Sequence, residues 1–317
     1  MDVKNPHNNF VEYVFSQPEE AKSLLENYLP DSIAEHIDFS SLEVLKDTFI
    51  DEDLKDYYSD LIFRVNFADT KGYLYLIFDH KSSVDKKIHL QLINYVHQFW
   101  NKKCLENSKW QKLTPIITMV LYHGQYSWTR PTRLRDVIDT ELEDLLKYTL
   151  DYEYILVDLS KYSDEEIKGT LITQTALVIL KHIFDNNLGW NDLLLKLEEL
   201  LFLLRDNANV LDFLRAILTY IFSAKTVASD SMKEIVEKSI GFKGKEVFMT
   251  VKEQWIQEGE IKGRKEGEIK GEIKGIKGEI AMLDQLYKKG KLTEQEYQEM
   301  LLPLKQKLDN LNKELKE

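Results

Sequence analysis

The stretch LIFRVNFADTKGYLYLIFDHKSS, residues 61–83, has two strand-like runs on either side of a turn sequence. In the first run, apolar residues alternate with Arg64 and Asn66, as in a strand with one buried face. The sequence DTKG, residues 69–72, predicts a four-residue loop, and a second apolar run follows it. This stretch therefore predicts a β-hairpin.

The segments after the hairpin alternate between helix and strand. Residues 86–103, KKIHLQLINYVHQFWNKK, predict an amphipathic helix with apolar residues along one side. PIITMVLYHG at 115–124 is apolar enough for a strand buried on both faces, and YILVDLS at 154–160 is similar. The order strand, strand, helix, strand, strand predicts an α/β core within residues 1–163.

The residues before the hairpin do not show a strand pattern. Asn8 and Asn9 predict the N-cap of a first helix, and residues 19–29 continue helically as far as Pro30. Residues 33–45 predict a mixture of short helix and loop. We therefore expect helices at the start of the core and four strands within it.

Beyond the core, the chain reads as almost entirely helical. Residues 164–250 contain three long apolar-periodic stretches, which predict an all-helical subdomain. Residues 251–279 form a repeat rich in Gly, Glu, Lys and Ile, with the stripe Gly259, Gly263, Gly267, Gly271, Gly275 and Gly278. This repeat is compatible with a close-packed, self-associating helix and with a flexible linker. Residues 280–317 predict a helical hairpin that lacks a core of its own and would gain one by oligomerisation.

The composition excludes several classes of protein. The 317 residues include 14 Phe, 16 Tyr and 5 Trp, enough for a large core, so a chain disordered throughout is excluded. A single cysteine, Cys104, excludes an internal disulfide framework and suits a reducing compartment. The sequence predicts neither a signal peptide nor a membrane span, and we expect a cytoplasmic protein.

The net charge of −12 argues against a chain that is basic overall, but the charge is unevenly distributed. Residues 1–60 carry 4 Lys and Arg against 15 Asp and Glu. Residues 81–135 carry 10 basic residues against Asp85 and Glu106 alone, a local balance of +8. This basic span is compatible with a phosphate-binding face and with an ordinary fluctuation of charge. Charge alone does not separate the two interpretations.

The candidate site combines two acidic residues and a lysine. Asp79 and Lys81 are two residues apart at the end of the second predicted strand, so both belong to one face. Asp60 precedes the first strand, and in a paired hairpin its carboxylate can converge with that of Asp79 to bind Mg²⁺. Such an ion activates water for attack on phosphorus, and Lys81 can hold the scissile phosphate or lower the pKa of the attacking water.

The helix after the hairpin adds a polar stripe to the site. Polar residues recur there at steps of three or four, as Lys87, Gln91, Asn94, Tyr95 and Gln98. Together with Lys86, this stripe predicts a surface on which a nucleic-acid backbone can lie. The spacing of two aspartates and a lysine is common in proteins of this size, and solvated charges are its ordinary explanation. The position of Asp79 and Lys81 at the end of the apolar run YLYLIF favours a catalytic site instead.

Several ordered segments together resemble the recombination-promoting nucleases, transposase-like members of the PD-(D/E)XK nuclease superfamily. They are a His7-containing helix, PEEAKSLLENYLP, DEDLKDYYSDLIFRV, YLYLIFDHKSS, the helix with Gln91 and Tyr95, PIITMVLYHG followed by Trp128, and YILVDLS. The resemblance covers roughly residues 5–250. It implies a restriction-endonuclease-like mixed sheet flanked by helices and a DNA endonuclease that uses Mg²⁺ or Mn²⁺. It also implies a link to recombination, mobile elements or defence against phage.

The resemblance further implies that Asp60, Asp79 and Lys81 are the catalytic residues, with Gln91 and Tyr95 on the following helix. The family commonly has Glu-His-Gln at the second motif. Here the motif is Asp79-His80-Lys81, which is nearer to the wider superfamily signature and should preserve metal binding.

The opening of the chain also departs from the family pattern. The family often begins with His-Asp and Phe-Lys pairs, and Asn8 and Val11 replace two of those polar residues. Glu12 is therefore a candidate auxiliary acid. Asp158 matches a recurrent family position, for which we expect a structural or modulatory role.

Three functions remain open at this point. The first is a homo-oligomeric, magnesium-dependent DNA endonuclease that associates through residues 257–317. The second is a catalytically silent protein that keeps the nuclease fold and acts as a regulator through its helical tail. The third is an enzyme that cleaves RNA with the same site.

Overall fold

The computed structural model describes residues 5–45, 59–68, 70–79, 86–106, 111–124, 126–184, 190–224 and 229–315. Within these ranges the chain forms one sheet, whose strands are β1 Ile37–Leu45, β2 Ser59–Phe67, β3 Thr70–Asp79, β4 Ile116–Tyr122 and β5 Ile155–Asp158. The described helices are α1 Pro6–Phe15, α2 Pro18–Tyr28, α3 Asp31–Ala34, α4 Ile88–Glu106, α5 Glu143–Leu146, α6 Leu171–His182, α7 Trp190–Leu204, α8 Val210–Ala224, α9 Ser229–Ile240, α10 Phe242–Lys288 and α11 Glu294–Glu314.

The sheet is mixed, and its strands lie in the order β1-β2-β3-β4-β5. β2 is antiparallel to β1 and to β3, whereas β3, β4 and β5 run parallel to one another. Parallel neighbours need a crossover connection, and α4 provides it between β3 and β4. The predicted α/β architecture with a mixed sheet, flanking helices and a helical C-terminal region is confirmed.

Side chains from the two faces of the sheet fill two separate cores. On one face, Phe63, Leu74 and Leu121 join a large cluster with residues of α1, α2, α6, α7 and α8. On the other face, Ile62 and Tyr75 pack with the buried side of α4. Because neighbouring residues of a strand belong to opposite faces, this alternation assigns each strand position to one of the two cores.

One strand was not predicted from the sequence. The expectation of short helix and loop for residues 33–45 is wrong, because Ile37–Leu45 forms the edge strand β1. Its pairing with β2 shifts register between Asp38 and Glu43. Such a bulge interrupts the alternation of apolar residues, and an edge strand has a neighbour on one side only. The sequence signal of this strand is weak for both reasons.

The β2–β3 hairpin has a shorter loop than the predicted four residues. Phe67 pairs with Thr70, so two residues connect the strands. Gly72 lies within β3, where an added Cβ atom would be 2.3 Å from the Phe67 ring. This glycine therefore allows the ring to approach the backbone closely, which is a different role from the expected turn.

The first helix begins earlier than expected. Asn5 is the N-cap of α1, and Pro6 occupies the first helical position, where its missing N–H costs nothing. Asn8 is buried inside the helix, so the predicted cap at Asn8 and Asn9 is wrong. None of the described helices combines the length and the hydropathy needed to cross a bilayer.

The chain divides into two compact units, and the boundary falls within α10. Residues 3–251 form one unit, in which α6, α7 and α8 share the large core with the sheet. The first part of α10 contributes Val247, Phe248 and Val251 to that core. Residues from 252 onward belong to the second unit.

The second unit is an antiparallel pair of helices. The glycine repeat lies inside α10 and is therefore helical, while its self-association stays a prediction. The rings of Tyr287 and Tyr297 stack with centroids 4.6 Å apart, and Lys307 Nζ lies 3.4 Å from a carboxylate oxygen of Glu272. The buried apolar residues of this pair are Ile269, Ile273, Ile276, Leu283 and Leu301.

Candidate active site at the carboxyl edge of the sheet

Three parallel strands end at one edge of the sheet, and two of them end in an aspartate. The Cα of Asp79 pairs with that of Tyr122, and Tyr122 pairs with Asp158. Because adjacent strands are about 4.8 Å apart, the Cα atoms of the two aspartates are roughly 10 Å apart. Open α/β sheets bind their ligands outside this edge, which we call the carboxyl edge.

Asp60 and Asp79 occupy positions on the same face of the sheet. Asp60 pairs with Ile77, and Asp79 lies two residues further along β3. Residues at such diagonal positions share a face and have Cα atoms about 7–8 Å apart. The structure describes the backbone of both aspartates, so the convergence of their carboxylates stays a prediction.

The face that includes positions 60 and 79 is the one covered by α4. Tyr95 is buried and stacks on Tyr75 with ring centroids 5.4 Å apart, while Phe99 contacts Tyr73. α4 therefore runs antiparallel to β3, and one helical turn equals about two strand residues in length. Gln91, one turn before Tyr95 and half-buried, is consequently level with the end of β3.

The predicted basic and polar residues are distributed around this edge. Lys81, like His80, lies outside the described residues. Lys86 and Lys87 are exposed immediately before α4, at the end of the helix that is nearest to the carboxyl edge. Asn94 and Gln98 are half-buried on the flank of α4 that includes Gln91.

The basic span is not one continuous charged face. Arg133 pairs with Asp151, with Nη2 2.7 Å from the carboxylate oxygen, near the amino end of β5. Lys103, in the last turns of α4, pairs with Glu106 at 2.8 Å. Lys86 and Lys87 remain at the carboxyl edge, so only part of the predicted +8 charge is near the candidate site.

Asp158 is buried at the carboxyl edge and serves as a hydrogen-bond acceptor for two loops. Its Oδ2 accepts from the backbone N–H of Trp128 at 2.8 Å. Its Oδ1 accepts from the backbone N–H and the hydroxyl of Ser160 at 3.1 and 2.7 Å. These contacts agree with a structural role for the carboxylate.

The segment after β4 pairs with residues 152–154, just before β5, and also contacts the start of α4. Leu134 N–H donates to the Tyr152 carbonyl, and the Tyr152 hydroxyl donates to the His89 carbonyl at 2.8 Å. His89 Nε2 bonds to the Pro131 carbonyl at 2.9 Å. Burial, and secondarily the charge of Arg130, lower the pKa of His89, so its imidazole is neutral near pH 7.

An aromatic cluster that the sequence did not predict includes His123, the residue after β4. The imidazole of His7 contacts His123 and Phe184, with ring centroids 5.4 and 4.9 Å apart. His7 Nδ1 also bonds to the Tyr220 hydroxyl at 2.8 Å, and burial raises the pKa of that tyrosine well above its ordinary value. His123 Nδ1 donates to the Leu180 carbonyl at 3.0 Å. No sequence pattern links these residues, because more than 200 positions separate His7 and Tyr220.

Glu12 belongs to the other side of the sheet. It is exposed on α1, whose buried residues, such as Val11 and Phe15, pack in the large core. Positions 60 and 79 belong to the opposite face, so the fold lends no support to Glu12 as an auxiliary acid.

Comparison with known proteins relates the chain to nucleases and their relatives. A family model described as "Putative transposase, YhgA-like" matches residues 5–211. The chain is 26% identical to the inactive recombination-promoting nuclease-like protein RpnE of Escherichia coli K12, over 89% of this chain and 91% of that protein. No solved structure matches.

Two further similar proteins are named as nucleases. Identity to the recombination-promoting nuclease RpnD of Escherichia coli O157:H7 is 25%, over 69% of this chain and 82% of that protein. Identity to the recombination-promoting nuclease RpnA of Escherichia coli K12 is 24%, over 80% of this chain and 85% of that protein. The similarity therefore includes proteins named as nucleases and one named as inactive.

Proposed function

The chain belongs to the family of YhgA-like transposases, and from this we propose that it is a magnesium-dependent DNA endonuclease. Two relatives are named recombination-promoting nucleases, which supports hydrolysis of phosphodiester bonds in recombination or mobile elements. The observation that carries the proposal is the register of β2 and β3, in which positions 60 and 79 share the face covered by α4.

The donor set fits a hard divalent ion. Mg²⁺ prefers carboxylate oxygens, binds through one or two of them, and keeps waters for contact with substrate phosphate. Asp60 and Asp79 would hold Mg²⁺ or Mn²⁺, and the ion would supply a Lewis acid that activates water and neutralises charge on the phosphate. Both aspartates lie at the carboxyl edge, outside which open α/β sheets bind their ligands.

The remaining candidate residues would contact the substrate rather than the metal ion. Lys81 would stabilise the negative charge that develops on the phosphate, and Gln91 and Tyr95 would orient water or a phosphate oxygen. Lys86 and Lys87, with Asn94 and Gln98 on α4, would contact the backbone of the nucleic acid.

A plasmid-nicking assay tests the proposal directly. We expect the wild-type chain to convert supercoiled plasmid to the open circle with Mg²⁺ or Mn²⁺ and to be inactive in EDTA. Asp60→Asn and Asp79→Asn should abolish nicking, whereas Asp206→Asn, at a highly exposed carboxylate, should not. Equal nicking by Asp60→Asn and the wild type would end the assignment of this site.

A second candidate function is a catalytically silent protein that acts through its helical tail. The name of RpnE, an inactive relative similar over 89% of this chain, favours it. The presence of Asp60, Asp79 and Lys81 argues against it. DNA binding without cleavage under any divalent ion would support this alternative over the first proposal.

The proposal also concerns the type of nucleic acid that is cleaved and the place where the protein acts. RNA has the same scissile linkage, so equal amounts of DNA and RNA substrate digested side by side would decide between them. We take the site of action to be the cytoplasm and the biological setting to be recombination, with defence against phage as a second setting.

We also take the chain to be a homo-oligomer that associates through residues 257–317. Met282, Met300 and Leu302 are at least half exposed on this unit, and the unit buries few apolar residues. A second copy would cover such side chains and would provide the larger core that an isolated helix pair lacks.

A further inference from the structure

The loop after β4 exposes an aromatic ring at the carboxyl edge. Tyr126 is 69% exposed and follows Tyr122, the Cα partner of Asp79, by four residues. A single exposed tyrosine is ordinary on a protein surface. Two further features indicate that this ring contacts a ligand: the loop is anchored, and lysines lie near it.

The residues that follow Tyr126 are fixed in place. The hydroxyls of Ser127 and Ser160 are hydrogen-bonded to each other at 3.1 Å, and the Trp128 N–H donates to the buried Asp158 carboxylate at 2.8 Å. The Trp128 indole is buried, and its Nε1–H donates to the Tyr154 hydroxyl at 3.1 Å. These contacts hold the backbone on the C-terminal side of the exposed ring.

The residue two positions before Tyr126 is also tightly packed. An added Cβ at Gly124 would be 2.0 Å from the Tyr122 hydroxyl, so the Tyr122 ring covers this glycine. Tyr122 in turn contacts Trp128 with ring centroids 5.0 Å apart. An aromatic side chain on a loop held at both ends can contact a ligand at a small cost in conformational entropy.

Cations lie at the same edge. Lys161 follows β5 and has a side chain that is 58% exposed, with Nζ 3.8 Å from Asp158. Lys86 and Lys87 are exposed before α4. Exposed aromatic rings beside a basic groove are the features with which proteins bind single strands, because bases stack on the rings and phosphates meet the cations.

We infer that Tyr126 stacks on an unpaired base of the nucleic-acid strand that occupies the carboxyl edge. This inference rests on the proposed nuclease function and specifies its substrate as single-stranded DNA or a locally opened duplex. An intact duplex covers both faces of its internal bases, so a protein ring can stack only where a base is unpaired or splayed out.

Binding in the absence of cleavage tests this inference. Fluorescence anisotropy of labelled 20-nucleotide DNA, with Ca²⁺ in place of Mg²⁺, compares a single strand, its duplex and a duplex with a central unpaired stretch. Tyr126→Ala should weaken binding of the single strand and the opened duplex by about tenfold, in the lower part of the range for base–aromatic stacking. Tyr126→Phe should bind as the wild type does.

The matched control is Tyr148→Ala. Tyr148 is 90% exposed and lies between α5 and β5, so it precedes the strand, whereas Tyr126 follows β4. This variant should bind all three DNA probes as the wild type does, and thermal unfolding of each variant checks that the fold is intact.

The outcomes separate this inference from the proposed function. Equal binding by Tyr126→Ala and Tyr148→Ala would overturn the inference, even for a chain that nicks plasmid. Binding of the duplex alone, or of no DNA, would also overturn it. A Tyr126-dependent preference for the single strand in a chain that does not nick plasmid would support the inference and overturn the endonuclease activity.

Discussion

Asp158 is a single side chain that ties two loops to the carboxyl edge. Its carboxylate is 3% exposed and accepts hydrogen bonds from the backbone N–H groups of Trp128 and Ser160. A buried carboxylate that accepts several hydrogen bonds contributes more to stability than a neutral acceptor does, because the bonds are charge-assisted. The loop that contains Tyr126 therefore depends on this residue.

We expect Asp158→Asn to lower the free energy of unfolding by about 1.5–3 kcal/mol, the value typical of hydrogen bonds to a charged group. The amide retains one acceptor oxygen but turns an NH₂ group toward backbone donors. Urea unfolding followed by tryptophan fluorescence measures the change. The control Asp144→Asn neutralises a carboxylate whose side chain is 89% exposed and should change stability by less than about 0.5 kcal/mol. Equal effects of the two variants would contradict the structural role of Asp158.

His89 is a buried imidazole whose protonation opposes folding. Burial lowers its pKa below the ordinary value of 6.5, so the folded protein binds this proton less readily than the unfolded chain does. As the pH falls through 6.5, the unfolded state is protonated first, and stability that is fully present above pH 6.5 is progressively lost. The effect ends once the pH is below the lowered pKa of the folded state.

We expect His89→Gln to lose less stability than the wild type between pH 7.5 and pH 5. The glutamine amide can still donate to the Pro131 carbonyl, but it takes up no proton. Urea unfolding at several pH values measures the difference in slope. The variant His97→Gln, at an exposed position of α4, should retain the slope of the wild type. A slope for His89→Gln as steep as that of the wild type would refute the prediction.

The sequence points to candidate residues for the site, but not to the contacts that surround them. Asp60 and Asp79 stand out because each adjoins an apolar run, and the period of a strand assigns them to a face. The contact between Asp158 and Trp128 joins residues 30 positions apart, and the His7–Tyr220 bond spans 213 positions. Such contacts follow from the packing of whole elements, which local spacing does not encode.

At the level of elements, predictions succeed where the apolar period is uninterrupted. β4 has five consecutive buried residues and was predicted, whereas β1 has a bulge and mostly half-exposed residues and was missed. Gly72 was assigned to a turn because glycine is common there, but it lies under the Phe67 ring. The sequence alone does not distinguish a glycine that allows close packing from one that allows a turn.

The glycine stripe of α10 is expected to lower the stability of that helix. An added Cβ at any of the six repeat glycines would have nothing within 4 Å, and these residues lie in a regular helix. Replacing glycine by alanine in an exposed helix interior stabilises it by about 1 kcal/mol per site.

We therefore expect the triple variant Gly263→Ala, Gly267→Ala, Gly271→Ala to raise the melting temperature of the C-terminal helices, seen by circular dichroism. Gly290→Ala is the matched control, because Gly290 has φ +65 and alanine would be strained there. This control should lower the melting temperature. A lower melting temperature for the triple variant would show that a partner backbone occupies the stripe.

At the scale of the whole molecule, charge and apolar surface are segregated along the chain. Residues 1–60 are strongly acidic, the carboxyl edge has exposed lysines, and residues 251–317 carry 14 basic and 14 acidic side chains. A helical C-terminal unit with balanced charge and with Met282, Met300 and Leu302 exposed suits the proposed contact with a second copy more than contact with DNA.

Deleting residues 257–317 tests whether the first unit folds and cleaves DNA by itself and whether the second unit mediates association. The shortened chain retains Val247, Phe248 and Val251, which belong to the core of the first unit, so we expect that unit to fold with an unchanged urea midpoint. We also expect fewer chains per particle by light scattering coupled to size-exclusion chromatography, because the exposed apolar residues of the tail are gone. Plasmid nicking should persist if one copy supplies the complete site. An unchanged number of chains per particle would refute association through the tail, and loss of the urea transition would show that the first unit depends on it.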